Sequence, residues 1–299
     1  MGYGGYSYDS HVTMATAAST RSREQIFTQN TTHNLMNPVN VELRESRDSP
    51  EHPNSLPVIF ALDVTGSMGR IPELLVKQEL PNFMLGLQKA GIDDPQLMFM
   101  AIGDANCDRA PLQVGQFEST AEDINRWLTW TYLEGGGGGN MGESYEMAMY
   151  FAASHTVHDA QEQRGKKGYF FMTGDEPHFD RISKSLFKSF CDKDIPEDML
   201  FGEIAKHLAV KYNSFFIIPD SSRVIHGGVD LREQWNVEGM TVVSLEKVED
   251  MCHVCAGIVA LSEGVAFDVE DWARRTAEHV PADQLARVKR TLNKLFITA

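Results

Sequence analysis

Between Leu56 and Leu245, short runs of apolar residues alternate with longer segments of helical period. The first run, residues 58–62, reads Val-Ile-Phe-Ala-Leu. Continuous apolar runs of this kind are typical of strands that are buried on both faces, as in parallel sheets. Helical segments between such strands indicate βαβ units. The sequence therefore predicts an α/β fold, a mostly parallel sheet with helices on both faces.

The predicted elements follow one another closely along the chain. Predicted strands cover residues 58–62, 97–102, 112–117, 168–173, 214–218 and 241–245. Predicted helices cover residues 71–90, 122–131, 143–157, 181–190, 197–211, 248–262, 267–278 and 282–296. Residues 112–117 alternate between apolar and polar, which favours an edge strand. Pro81 is expected to kink or split the first helix, because proline lacks an N–H and crowds the preceding turn.

Three regions of different composition divide the chain. Residues 1–55 are polar, contain several prolines and show no helical or strand period, so we predict an extended N-terminal arm. Scattered aromatic and aliphatic residues leave open whether this arm is disordered or lies as an ordered strap on the protein. We assign residues 56–265 to the main α/β domain. Residues 266–299 form a predicted helical extension.

Composition argues against several classes of function. The 299 residues carry a formal net charge of −15, whereas binding to a nucleic-acid backbone requires a surplus of Lys and Arg. No run of about 18 apolar residues predicts a membrane span. The first residues lack the basic and apolar regions of a secretory signal. Four cysteines are too few for a disulfide scaffold, so a cytoplasmic location is expected.

A cluster of oxygen-bearing side chains follows the first predicted strand. Asp63, Thr65 and Ser67 alternate along one loop, and Asp175 follows a later strand. Ligands of parallel sheets bind at the carboxyl ends of the strands, where these residues are expected to meet. One carboxylate with neutral hydroxyls suits a hard cation such as Mg²⁺. The alternative for Asp63 is a helix N-cap, a position that Asp, Ser and Thr all favour.

Residues 60–68, Phe-Ala-Leu-Asp-Val-Thr-Gly-Ser-Met, resemble the first metal loop of von Willebrand factor type A (VWA) domains of the bacterial or phage type. The order of predicted elements from about residue 56 to 260 is also similar. The resemblance implies a Rossmann-like, doubly wound VWA fold with a metal-ion-dependent adhesion site (MIDAS). By position, Asp63, Thr65 and Ser67 match the first loop, and Asp175 matches the late acidic loop. Mg²⁺ is the implied cation, with Mn²⁺ and Ca²⁺ left open.

The second metal loop departs from the usual pattern of the family. It contains five consecutive glycines followed by Asn140, Met, Gly and Glu143. This resembles the version seen in type A domains related to alpha-kinase-associated proteins, which makes Asn140 and Glu143 the implied ligand candidates. The alternative for Glu143 is that a carboxylate in the first turn of a helix is favoured by the helix dipole alone.

The resemblance implies a non-enzymatic module that captures an Asp or Glu of a partner protein on the bound cation. Such domains often occur beside ring-forming AAA+ ATPases, which makes an adaptor role the expectation. An Mg²⁺-dependent phosphohydrolase is the second hypothesis, although Thr65 stands where those enzymes need a second Asp. The third is an assembly protein in which residues 1–55 clasp a neighbouring subunit. No nucleic-acid or membrane partner is expected, and the oligomeric state is left open.

Overall fold

The computed structural model describes residues 4–66, 68–134 and 142–296. The central sheet consists of β1 Leu56–Asp63, β2 Pro95–Ile102, β3 Leu112–Val114, β4 Gly168–Thr173, β5 Tyr212–Ile218 and β6 Met240–Ser244. In space these six strands follow the order β6-β5-β4-β1-β2-β3. All neighbours are parallel except β3, which runs antiparallel to β2 at one edge. The predicted α/β fold with a mostly parallel sheet is confirmed.

Strand β1 explains why the apolar run is continuous. All eight of its residues are buried. Val58 and Phe60 point into the hydrophobic core on one face of the sheet, and Ile59 and Ala61 point into the core on the other. A strand in the middle of a parallel sheet has no solvent-facing side, so it contains no alternating polar residues.

Helices cover both faces of the sheet. The longer ones are α1 Tyr8–Ser19, α2 at residues 70–90, α3 Ala121–Thr129, α4 Tyr145–Ser154, α5 Lys184–Cys191, α6 Phe201–Lys211, α7 Met251–Ser262, α8 Val269–Thr276 and α9 Ala282–Phe296. Side chains of α2, α3, α7, α8 and α9 build the core on the face of Val58, which we call face A. Those of α4, α5 and α6 build the core on the opposite face, face B. None of the helices in the described ranges has the length and apolar character needed to cross a bilayer.

Short strand pairs lie outside the central sheet. Arg44–Ser46 runs parallel to Thr156–His158, Arg181–Ile182 is antiparallel to Met199–Leu200, and Ile225–His226 is antiparallel to Val229–Asp230. Short helices cover Arg23–Ile26, Asp159–Arg164 and Leu231–Gln234, and single turns of 3₁₀ helix cover Asn34–Met36, Pro38–Asn40, Ser221–Arg223 and Val248–Asp250.

Helix α2 is interrupted in the way that Pro81 predicts. Its first turn, Arg70–Leu74, passes into a π-helical segment, Leu75–Glu79, before the α-helix resumes at Leu80–Ala90. Pro81 has no N–H to donate into the preceding turn, and a π-helical segment is one way for a helix to absorb such a gap. The helix ends at Gly91, whose φ of 94° is the left-handed conformation that glycine adopts without strain.

The N-terminal segment differs from the extended arm that the sequence predicts, because residues 8–19 form helix α1. Helix α1 begins after Ser7, whose side chain accepts a hydrogen bond from the Ser10 N–H, and the helix packs against α2 and α3. Small and polar residues gave no amphipathic period, yet capping and tertiary contact are enough to hold a helix. The boundary after residue 55 stays a prediction.

The C-terminal helix α9 is joined to the start of helix α7 by a buried ion pair. Arg287 donates two hydrogen bonds of 2.8 Å to the carboxylate of Asp250, at the start of α7. Val288 and Leu292 pack into the core of face A. The helix therefore shares the core of the main domain, and the boundary at residue 265 stays a prediction.

Candidate metal centre

Strands β1, β2 and β4 run parallel, so their carboxyl ends meet at one edge of the sheet, which we call the rim. Asp63 is the last residue of β1, Asp104 follows β2 and Asp175 follows β4. All three side chains belong to residues that are at most 6% exposed. The structure thus brings the predicted residues Asp63 and Asp175 to the same edge.

Asp63 is held by three hydrogen-bond donors. Its Oδ1 accepts from the Thr65 backbone N–H at 3.0 Å and from the Thr65 hydroxyl at 2.6 Å. Its Oδ2 accepts from the Tyr145 hydroxyl at 2.9 Å. The contact from residue i to i+2 is an Asx-type turn, which folds the loop back onto the carboxylate. Helix α2 has Gly69 as its N-cap, so Asp63 does not cap that helix.

Burial and neighbouring charge oppose the ionisation of Asp63. Removal from water raises the pKa of Asp63 to about 7, and the negative charge of Asp175 adds to the rise. Hydrogen bonds from Thr65 and Tyr145 favour the carboxylate and act in the opposite direction. Three donors are therefore not sufficient to make Asp63 an ordinary carboxylate, and a further positive charge at this point would favour its ionised form.

Tyr145 is a site residue that the sequence analysis missed. It opens helix α4 and is fully buried between Phe216 and Trp235, with ring centroids 5.8 and 5.0 Å away. Gly174 makes room for it, since a Cβ there would lie 2.3 Å from the Tyr145 hydroxyl. A tyrosine at the start of an apolar helix resembles any other core residue, so no motif could have indicated this role.

Arg223 is a second rim residue that the sequence analysis missed. It lies in the 3₁₀ turn Ser221–Arg223 after β5, and its guanidinium forms an ion pair with the Asp175 carboxylate. The same guanidinium contacts the Met68 sulfur at 3.8 Å. Asp175 is thus already provided with one cationic neighbour. Arg223 belongs to no motif with Asp175, so the sequence does not indicate that the two residues meet.

Glu143 lies deep in the rim, and its environment disfavours its charge. The residue is 4% exposed, and Oε2 makes no hydrogen bond to any described part of the chain. Burial raises the pKa of Glu143 to about 10, and the negative charges of Asp63, Glu176, Asp108 and Asp104 contribute. Glu143 lies just before α4, which begins at residue 145, so attraction to the helix dipole can explain why an acid stands there. It does not explain why the side chain is buried.

The second loop is joined to the rim by backbone contacts on either side of Glu143. The Gly142 N–H donates to Glu176 Oε2 at 2.7 Å. Ser144 receives the Ala105 N–H on its hydroxyl at 2.9 Å, and its own N–H donates to the Gly103 carbonyl at 3.1 Å. These bonds connect the loops that follow β2 and β4 to the start of α4. Asn140 and Ser67, two of the predicted ligands, lie outside the described residues.

The rim as a whole carries many carboxyl groups and little positive charge. Asp63, Glu143 and Asp175 all act on Tyr145. Burial raises the pKa of Tyr145, and the negative charges of these three acids raise it further. Oxygen donors with excess negative charge match the preference of a hard divalent cation. The buried Glu143 Oε2, to which no described residue donates a hydrogen bond, fits the same chemistry. Within the described ranges, however, no set of three Asp, Glu, His or Cys side chains is arranged as a metal-binding group.

No family model and no curated protein matches this chain. Its fold is similar to the pilus adhesin SpaC from Lactobacillus rhamnosus GG in the open conformation, with a TM-score of 0.45 and 11% identity over 73% of this chain and 31% of the adhesin. A second crystal structure of that adhesin gives a TM-score of 0.44 and 12% identity over 73% and 32%. The chain thus spans less than a third of the adhesin's length.

Proposed function

We propose that this chain is a metal-dependent protein-binding module of the VWA type, with a Rossmann-like, doubly wound sheet. A divalent cation at the rim would favour the ionised forms of Asp63 and Glu143, which burial opposes, and it would accept an Asp or Glu side chain from a partner. The observation that carries the proposal is the environment of Asp63. Its carboxylate is fully buried, faces the Thr65 hydroxyl at 2.6 Å and lies near other acids.

The residues of this chain would have distinct parts in such a module. Asp63, Thr65, Ser67, Asn140 and Glu143 would supply oxygen ligands, and Asp175 would contribute through its position beside Asp63. Tyr145 would act as a positioning residue, because its hydroxyl fixes one oxygen of Asp63. A bound Mg²⁺ supplies an electrophilic centre that takes oxygen ligands while keeping exchangeable waters. Direct binding of the Glu143 carboxylate to the cation would lower that electrophilicity. Whether Glu143 binds would therefore affect the affinity for the partner's carboxylate.

The first experiment measures Mg²⁺ binding by isothermal titration calorimetry. Asp63→Ala is expected to abolish binding while circular dichroism shows the fold retained, because Asp63 supplies the carboxylate of the first loop. Asp283→Ala serves as the matched control, since Asp283 is an exposed acid on α9, with its side chain 78% exposed. Mn²⁺ and Ca²⁺ are titrated in parallel to identify the preferred cation. Unchanged Mg²⁺ affinity in Asp63→Ala would refute the metal site.

The second experiment tests capture of a partner. Wild-type protein and the Asp63→Ala variant are used as baits in pull-downs from host lysate, in Mg²⁺ and in EDTA, and the retained proteins are identified. A protein retained only by the wild type and only with Mg²⁺ supports the adhesion role, and an AAA+ ATPase is the partner class that the resemblance favours. Retention that depends on neither the metal nor Asp63 would contradict it. Phosphatase activity lost in Asp63→Ala would favour a phosphohydrolase instead.

A further inference from the structure

Residues 4–7, which we call the N-terminal strap, precede helix α1 and contact the main domain through Gly4. The Gly4 carbonyl oxygen lies 2.8 Å from Nε2 of His52, and a Cβ at Gly4 would lie 3.1 Å from Thr120, the N-cap of α3. His52 also contacts Asp94, whose carbonyl accepts from the Leu56 N–H at the start of β1. The strap is therefore held at the end of the sheet that lies opposite the rim.

The imidazole ring of His52 lies between two hydrogen-bond acceptors. Nε2 is 2.8 Å from the Gly4 carbonyl oxygen, and Nδ1 is 3.2 Å from Oδ1 of Asp94. The residue is 5% exposed, so little water can reach the ring to replace either partner. A carbonyl and a carboxylate accept hydrogen bonds and donate none, whereas a neutral imidazole has a single N–H. Only the protonated ring, with two N–H groups, can donate to both acceptors.

A second histidine holds the strap in a way that does not depend on its charge. The Tyr6 hydroxyl and Nδ1 of His11 form a hydrogen bond of 2.7 Å, and the Tyr6 ring packs against the core of face A. Burial lowers the pKa of His11 to about 4 and raises the pKa of Tyr6, so both side chains are neutral near pH 7. The contact at Tyr6 is therefore constant around neutral pH, and the contact at Gly4 is the one that can change.

Asp94 is the charged side chain that contacts the His52 ring. Its other oxygen, Oδ2, accepts from the Asn54 N–H at 3.2 Å, so the carboxylate is fixed between the ring and the backbone of the same loop. Charged residues on the neighbouring segments are exposed or form ion pairs elsewhere: Asp9, Glu51, Asp93 and Glu122 are exposed, Asp48 pairs with Arg164, and Asp123 pairs with Arg126. The ring proton thus acts first on Asp94 and on Gly4.

We propose that His52 is a pH-sensitive clip, which holds Gly4 while its ring is protonated and releases Gly4 when the ring becomes neutral. Histidine side chains change charge between about pH 5 and about pH 8. As the pH rises through this range, the remaining N–H can serve Asp94 or Gly4 but not both. A hydrogen bond to a carboxylate is stronger than one to a carbonyl, so the N–H stays at Nδ1 and Gly4 loses its donor. The strap is then held at Tyr6 alone.

Nuclear magnetic resonance of the whole chain, recorded in EDTA from about pH 5 to about pH 8, tests the proposal. The ¹⁵N shifts of the His52 ring report which nitrogens carry a proton, and the ¹³C shift of the Gly4 carbonyl reports its hydrogen bond. In the wild type the ring should pass from two protonated nitrogens to one, at Nδ1. The Gly4 carbonyl resonance should move upfield over the same pH range, and the heteronuclear NOE of the Gly5 amide should fall.

Asp94→Asn is the sharpest variant, because it replaces an acceptor by a group that can also donate. The new amide can donate to a neutral Nδ1 and still accept from the Asn54 N–H, which leaves the ring N–H at Nε2 for Gly4. The Gly4 resonance of this variant should therefore keep its hydrogen-bonded position up to about pH 8.

His52→Gln provides the opposite control. A single amide nitrogen cannot donate in the two opposite directions that the ring serves, so the Gly4 resonance should lie upfield at every pH. A wild-type Gly4 resonance that does not move with pH would overturn the proposal. So would a neutral ring that keeps its proton at Nε2, or an Asp94→Asn variant that responds to pH as the wild type does. Since no cation is present, these outcomes are independent of the rim metal site.

Discussion

Two buried carboxyl groups of this chain have similarly raised pKa values but different surroundings. Asp63 at the rim and Glu79 in helix α2 are both fully buried, and burial raises the pKa of each to about 7. Asp63 is surrounded by three hydrogen-bond donors. Neither oxygen of Glu79 makes a hydrogen bond to a described residue, although Asn82 lies near enough to offset the rise in part.

The two carboxyl groups differ in whether hydrogen-bond donors surround them. The hydrogen-bond donors around Asp63 favour its charged form, whereas burial and the charge of Asp175 oppose that form. The donors offset this opposition only in part, since the pKa of Asp63 is still raised. Glu79 is near two further acids, Glu249 and Asp250, which oppose its charge, and the Asn82 side chain offsets the rise in its pKa only in part. Glu79 is best described as a neutral acid of the core, whereas Asp63 is the carboxyl group for which we propose a cation.

The largest expected effect comes from Glu79→Gln. The folded-state pKa of Glu79, about 7, lies above its ordinary value of 4.5, so the folded protein keeps a proton that the unfolded chain loses. The associated stability is fully present below pH 4.5 and is lost as the pH rises through 7. Relative to the wild type, the variant should therefore gain up to about 3 kcal/mol in unfolding free energy between acidic and neutral pH. Urea denaturation across this pH range measures the difference.

The control for this experiment is Glu238→Gln, which removes an acid whose side chain is 79% exposed. Its difference from the wild type should stay small across the same pH range, because an exposed side chain stays in water when the chain folds and loses no hydration. A Glu79→Gln difference that does not change with pH would show that Glu79 is not held neutral. The contrast with Asp63 would then lose its basis.

The second prediction concerns Tyr145→Phe, which removes one of the three donors around Asp63. We expect the unfolding free energy to fall by about 1–2 kcal/mol, the value of a buried hydrogen bond to an acidic group. Mg²⁺ affinity should fall by about tenfold, as is usual when a ligand loses the residue that orients it. Thermal denaturation and calorimetric titration measure the two effects separately.

Tyr150→Phe is the matched control, because Tyr150 lies on α4, the same helix as Tyr145, and is also buried, at 8% exposure. It should leave Mg²⁺ affinity unchanged. If Tyr145→Phe alters stability but not Mg²⁺ affinity, then its hydroxyl serves packing alone, and Asp63 resembles Glu79 more closely than we infer.

The sequence predicted the architecture well because burial on both faces leaves an unmistakable pattern. The strand at residues 168–173 was placed at the exact bounds that the structure gives, Gly168–Thr173, and helix 282–296 likewise matches Ala282–Phe296. Helix α1 was missed because its twelve residues carry no amphipathic pattern, and its stability depends on the Ser7 cap and on packing. Apolar periodicity reports neither the cap that precedes a helix nor the packing of that helix against a distant element.

The candidate site was predictable only where a strand leads directly into it. Asp63 and Thr65 lie in a loop whose position follows from the strand before it, so their meeting could be expected. Tyr145 and Arg223 reach the rim from other elements, and only tertiary packing brings them there. Whether Asp175 serves the proposed cation depends on its ion pair with Arg223, which the sequence could not indicate.

The smallest expected effect, that of Arg223→Gln, bears on this point. The ion pair with Asp175 is partly exposed, with the Arg223 side chain at 38%, so its loss should cost under about 1 kcal/mol of unfolding free energy. Mg²⁺ affinity should rise about fivefold, because a guanidinium beside Asp175 opposes a second cation at the rim. Arg232→Gln, which removes an exposed arginine paired with Asp230, is the control and should leave Mg²⁺ affinity unchanged. Weaker Mg²⁺ binding in Arg223→Gln would contradict this expectation and would mean that the arginine orients Asp175 for the cation and does not compete with it.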